Sequence, residues 1–159
     1  MKKYINCRHC NNKTEFQFVD LGNSPPSNEY LSIHSIDKPE IFYPLQVFVC
    51  KKCWLVQTKD FSSGSDLFKE DYAYLSSTSS SWLEHCKNYV SQIVPTLNLN
   101  SSSFVVELAS NDGYLLNYFK DLNISCLGVE PTEGTAKIAQ ENGIETLVKF
   151  FGYEEAVNV

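Results

Sequence analysis

The sequence predicts an α/β chain in two parts, a small cysteine-clamped module followed by the first half of a doubly wound parallel sheet. Three observations predict it. Four of the six cysteines fall in two Cys-x-x-Cys pairs near the start. The period of apolar residues then changes, after about residue 100, to a strand–helix–strand–helix–strand alternation. Acidic residues also sit at the ends of the first two of those strands, where the ligand crevice of such a sheet lies.

Composition narrows the function classes. A chain of 159 residues with 43% hydrophobic content buries one good core, or a small core beside a module stapled by other means. The formal net charge of −6 repels a phosphate backbone, and no basic stripe offsets it, which argues against nucleic acid as a partner. No apolar run approaches the roughly 18 residues of a membrane span, so no membrane is expected. The start, MKKYINCRHC, turns polar where the apolar core of a signal peptide would lie. The expected setting is cytoplasmic.

Cysteines in a reducing compartment ask for a role other than disulfides. Cys7 and Cys10 in CRHC, with Cys50 and Cys53 in CKKC, have the two-residue gap that brings both sulfurs of one turn to one metal. Residues 11–49 separate the pairs, too long for a compact finger and suited to a zinc-ribbon-like fold with an inserted loop. Four sulfurs fill a zinc tetrahedron and leave no position for substrate, so the metal is expected to be structural. His9 lies inside the first knuckle, adjacent to ligands and poorly aimed for the same tetrahedron. Cys86 and Cys126 read as buried free thiols.

The elements follow in order, with residues 1–60 as the zinc module, 61–100 as a helical and aromatic connection, and 101–159 as the partial sheet. VDLGNSPPSNEYL supplies turn chemistry through Gly22, Asn23 and the Pro25-Pro26 pair, and IFYPLQVFVC reads as a strand feeding the second knuckle. WLEHCKNYVSQIV has helical spacing, opens at a serine cluster, and is expected to end at Pro95. FVVELA is a strand, DGYLLNYFKDL a helix, SCLGVE a strand, EGTAKIAQENG a helix closed by Gly143, and IETLVK a third strand. This is the first half of a Rossmann-like order.

The turn after the first of these strands, ELASNDG, lacks the usual glycines. Its corresponding positions are Ala109, Asn111 and Gly113. Alanine is the smallest residue after glycine, and asparagine enters the left-handed region more readily than other residues, so the turn is still feasible. Glu107, at the end of the strand, is placed to accept a hydrogen bond from the turn or to order a water. Glu130 ends the second strand, at close to the roughly 20-residue spacing of an acid that takes ribose hydroxyls. Asp112 also reads as a helix N-cap.

With these strings on the page, the chain resembles the S-adenosylmethionine-dependent C-methyltransferases that act on nucleotide-linked keto-deoxysugars. CRHC, VDLGNSPPSNEYL, YPLQVFVCKKCWLVQ, DYAYLSSTSSSWLEH, VVELASNDGYLL, GVEP and GIETLVKFF carry the resemblance over essentially the whole chain. It implies structural zinc on Cys7, Cys10, Cys50 and Cys53. It implies a cofactor site, for S-adenosylmethionine, built from Tyr72, Glu107, Ala109, Ser110, Asn111, Asp112, Gly113, Tyr114, Leu115, Glu130 and Pro131, with Glu130 on the ribose. Tyr72, Tyr74 and Ser76 to Ser79 are implied to lie over the cofactor or substrate mouth, which a packed aromatic linker would explain equally. His85 is a position in the same motif and also an ordinary helix residue.

Members of that family are more than twice as long, and the expectation is an N-terminal fragment, inactive alone. His9, His34 and His85 each have a plainer reading, so no catalytic base is assigned. A nucleotide-sugar is the expected substrate of the whole enzyme, and a partner chain supplying the C-terminal part is the alternative, with the zinc module as its docking element.

Overall fold

The computed structural model describes residues 4–70 and 72–158; Met1 to Lys3, Asp71 and Val159 lie outside the described residues. The chain forms two compact units, Met1–Leu67 and Phe68–Val159. Each is described by itself.

The first unit is a cysteine-rich β module. Strands β1 (Ile5–Asn6) and β2 (Lys13–Thr14) pair antiparallel around the first cysteine pair. Strands β3 (Gln17–Ser24), β4 (Tyr43–Val49) and β5 (Val56–Thr58) form a second antiparallel sheet in the order β3-β4-β5, followed by a single helical turn, α1 (Gly64–Leu67). The predicted strand before the second knuckle is therefore present as β4. Gly22 and Asn23 do not make the predicted turn; they lie within β3. Gly22 has φ +80° and its N–H bonds Asp20 Oδ1 at 2.9 Å, where the pairing with β4 slips between Asp20 and Asn23. A glycine in the left-handed region absorbs that bulge and lets the strand continue.

The second unit is an α/β layer. A short 3₁₀ turn (Ser76–Thr78) leads into α2 (Ser80–Thr96), whose cap Ser79 accepts from the Trp82 N–H through its hydroxyl. The serine cluster thus opens the helix, as expected. The helix ends at Thr96, one residue past Pro95 and just before the polar stretch that follows, as expected. A proline so near the C-terminus forfeits one intrahelical bond, while Ile93 and Val94 keep their face packed on the core.

A parallel sheet follows, in the order β6 (Phe104–Leu108), β7 (Ser125–Val129), β8 (Thr146–Leu147). Helix α3 (Leu116–Asp121) joins the first two strands and α4 (Glu133–Glu141) the last two; α5 (Tyr153–Asn158) comes after. The third strand is shorter than predicted, with only Thr146 and Leu147 paired to β7. Helix α3 begins at Leu116 rather than at Asp112, because Gly113 sits at φ +77° and the side chains of Asn111 and Asp112 are engaged elsewhere.

All three long connections of this unit end alike. Asn98, Asn123 and Gly143 take positive φ just past α2, α3 and α4. The next residue then bonds back over the last turn, Leu99 N–H to Val94 O, Ile124 to Phe119 and Ile144 to Ala139, at 2.9 to 3.1 Å. These are Schellman closures, and each delivers an apolar residue to the core. That core is Val90, Leu116, Phe119, Ile124, Ala139 and Ile144, with Val105 and Cys126 from the sheet against it.

Candidate functional site

The cysteine cluster is built twice by the same local rule. Asn11 N–H returns to Cys7 O at 2.9 Å, and Trp54 N–H to Cys50 O at 2.8 Å. Asn11 and Trp54 both adopt left-handed backbone, at φ 56° and 65°, which folds each pair into a knuckle. The four sulfurs lie within 4.8 Å of one another, with Cys7 to Cys53 at 3.5 Å and Cys10 to Cys50 at 3.6 Å. All are free thiols. This donor set and spacing fit tetrahedral zinc and leave no open ligand position.

The surrounding dipoles favour thiolates. The backbone N–H of Cys53 draws Cys50 down to about 5, and that of Cys10 holds Cys7 below its usual range, with a smaller contribution from the Gln57 side chain. Gln57 is buried, and its Oε1 accepts from Arg8 N–H at 3.0 Å. Gln57 was not legible as a site residue, because its place beside Cys7 depends on the β4–β5 register. His9 and His34 are exposed, and His9 is not among the clustered ligands.

The second cluster gathers at the carboxyl ends of β6 and β7. Ala109, Asn111 and Gly113 all take left-handed backbone, at φ 60°, 50° and 77°. Alternating left-handed residues coil the chain tightly, and Ala109 N–H bonds Val129 O at 2.8 Å to fix the turn to the neighbouring strand. A Cβ on Gly113 would lie 3.1 Å from Ile144 Cγ1 and 3.2 Å from Ala139 Cβ. On Gly128, in β7, it would meet Ser110 Oγ at 2.4 Å. One glycine missing from the turn is thus supplied across the sheet, a pairing the linear motif does not display.

Glu130 joins two turns. One carboxylate oxygen accepts from Asn111 N–H and the other from Thr132 N–H, each at 2.9 Å, and Thr132 Oγ1 donates to the second as well. Three of roughly four acceptor positions are occupied by the protein's own donors. Thr132, invisible as a site residue in the sequence, bonds Thr135 in turn.

Unsatisfied polar atoms collect beside it. Glu107 Oε2, Ser110 Oγ and Asp112 Oδ1 are buried without partners. Burial pushes Glu107 up to about 7; a hydrogen bond from Tyr114 opposes this and the Asp112 and Glu130 charges add to it. Among the described residues no ion pair reaches these three acids. Tyr114 is itself raised to about 12, chiefly by burial. Its ring lies 6.2 Å from Trp82, on which exposed His85 stacks at 5.1 Å.

The preceding segment runs across this turn. Asn111 Oδ1 accepts from Ser76 N–H at 2.8 Å, its Nδ2 donates to Tyr74 O at 3.1 Å, and Asp112 Oδ2 accepts from Ser77 N–H at 3.1 Å. Asp112 is therefore no cap for α3, whose own N-terminus has no side-chain cap. Tyr72 and Pro131 are half-buried, Leu115 likewise, and Tyr74 is exposed. Tyr72 packs its ring 5.4 Å from that of Phe68.

A cysteine-rich zinc-binding module ahead of a parallel α/β layer is the class these two sites define. A family model described as "Putative zinc binding domain", from the methyltransferase group 13 set, matches residues 7–68. The C-methyltransferase NovU of Streptomyces niveus is 30% identical over 148 residues, covering 93% of this chain and 35% of that protein. Together these matches support a C-methyltransferase family for the chain, which spans about a third of the relative's length.

Proposed function

We propose that the chain carries the structural zinc module and the cofactor-binding part of an S-adenosylmethionine-dependent C-methyltransferase, acting on a nucleotide-linked keto-deoxysugar. The observation that carries the proposal is the set of buried, partnerless oxygens on Glu107, Ser110 and Asp112, at the strand ends where a Rossmann-like crevice lies. A cluster of acids with no ion-pair partner among the described residues suits the positively charged end of S-adenosylmethionine. Glu130 keeps one acceptor position for a ribose hydroxyl, and the tight Ala109–Gly113 turn allows close backbone approach. When bound, the cofactor supplies an electrophilic methyl group.

The acceptor in this reading is a carbon beside a ketone, made nucleophilic by loss of a proton to a general base. His9, His34 and His85 have no geometry that assigns them that role, so the base and most sugar contacts belong to polypeptide beyond these residues. Among the described residues strand β6 has an unpaired edge, suited to further strands, and Phe104, Val106 and Leu108, which share one face of it, are exposed, suited to covering by such a polypeptide. The test is calorimetric titration of the zinc-loaded chain with S-adenosylhomocysteine. Saturable binding that weakens in Glu130→Ala supports the reading; a folded, zinc-loaded chain that binds nothing defeats the cofactor role of these residues.

A further inference from the structure

The residues standing where a glycine-rich turn would have glycines do more than tolerate left-handed backbone. A glycine at 111 would satisfy φ 50° with less strain, yet asparagine is present and both ends of its amide are used, on Ser76 N–H and Tyr74 O. Asp112 adds Ser77 N–H. A third attachment is steric: Gly134, in the first turn of α4, lies so close to the segment that a Cβ there would sit 2.5 Å from Glu70 O. Residues 74 to 77 are thereby fastened at two places on the β6–α3 turn, and Glu70 is pressed against the helix that follows β7. Ser76, Asn111 and Asp112 are all buried.

We propose that Asn111 and Asp112 are positioning residues that fasten the 72–79 strap across the strand ends, making it a fixed wall of the cofactor site. This rests on the cofactor reading above. The glycine-rich form of such a turn leaves its mouth open, with backbone alone facing the ligand. Here the turn exchanges part of that opening for a built-in cover, and its side chains are committed to the strap. The strap's own residues, Tyr72 and Tyr74 among them, then sit at a set distance from the cofactor without needing a ligand to order them.

The experiment compares the wild-type chain with Asn111→Gly and Asn111→Asp, by site-resolved amide hydrogen exchange and by titration with S-adenosylhomocysteine. Glycine keeps the turn's backbone but removes both bonds; aspartate keeps the acceptor for Ser76. The expected result is exchange at Ser76 and Ser77 faster by about tenfold or more in Asn111→Gly, at an unchanged global unfolding midpoint, with near wild-type exchange at Ser76 in Asn111→Asp. S-adenosylhomocysteine affinity should fall about tenfold in the glycine variant and recover in the aspartate one. Unchanged exchange in Asn111→Gly overturns the fastening. Faster exchange with unchanged affinity overturns the wall. A wild-type chain that shows slow Ser76 exchange but binds no S-adenosylhomocysteine overturns the cofactor reading and the wall with it, and supports the fastening alone.

Discussion

Glu107 is the residue whose environment most contradicts its chemistry. It is a carboxylate with one oxygen unpartnered, next to two further acids, and its folded-state value of about 7 lies above the ordinary 4.5. The folded state therefore holds a proton that the unfolded state has released. Stability should fall as pH rises from about 4.5 through 7 and level off above. Glu107→Gln should remove that slope, so that urea midpoints of the two proteins converge at low pH and the variant is the more stable near pH 8. Parallel curves across the range would show that Glu107 is solvated. Gly128 offers a second test. Gly128→Ala places a methyl against Ser110 Oγ, and overpacking of that kind costs about 1–3 kcal/mol, read from a urea titration at constant slope. No loss would mean that Ser110 moves freely and the turn is looser than its burial implies.

At the scale of elements, the first unit's buried hydrophobic residues are few among those described: Cys7, Phe48 and Cys50. So small a core rarely holds a fold of about 65 residues, and the metal is asked to make up the difference. Chelating zinc, or Cys53→Ser, should collapse the amide signals of β3 to β5 while those of β6 to β8 persist, with metal content measured on the same samples. Retention of both zinc and the β3–β5 signals in the variant would remove Cys53 from the ligand set. The second unit depends on another rule, three helices closed by a left-handed residue that turns the chain back into the core. Gly143 was legible as such a stop. Asn98 and Asn123 were not, because asparagine in the left-handed region is a permission rather than a signal.

For the whole molecule, the sequence by itself determined the two cysteine knuckles, the change to alternating strands and helices, and the acids at the strand ends. These are patterns of spacing, and a knuckle or a strand–helix period is fixed by neighbours only a few residues apart. The tertiary structure alone decided what the acids and the turn do. Glu130 reads in sequence as a ligand acid, yet most of its acceptor positions serve Asn111 and Thr132. Asn111 reads as a substitute for glycine, yet its side chain reaches Tyr74 and Ser76. Gly128 reads as an ordinary strand residue, yet it makes room for Ser110. Apart from the local Glu130–Thr132 contact, these pairings join residues about 18 to 37 positions apart, and partners at that separation are set by how the sheet and turns pack, which no local pattern encodes.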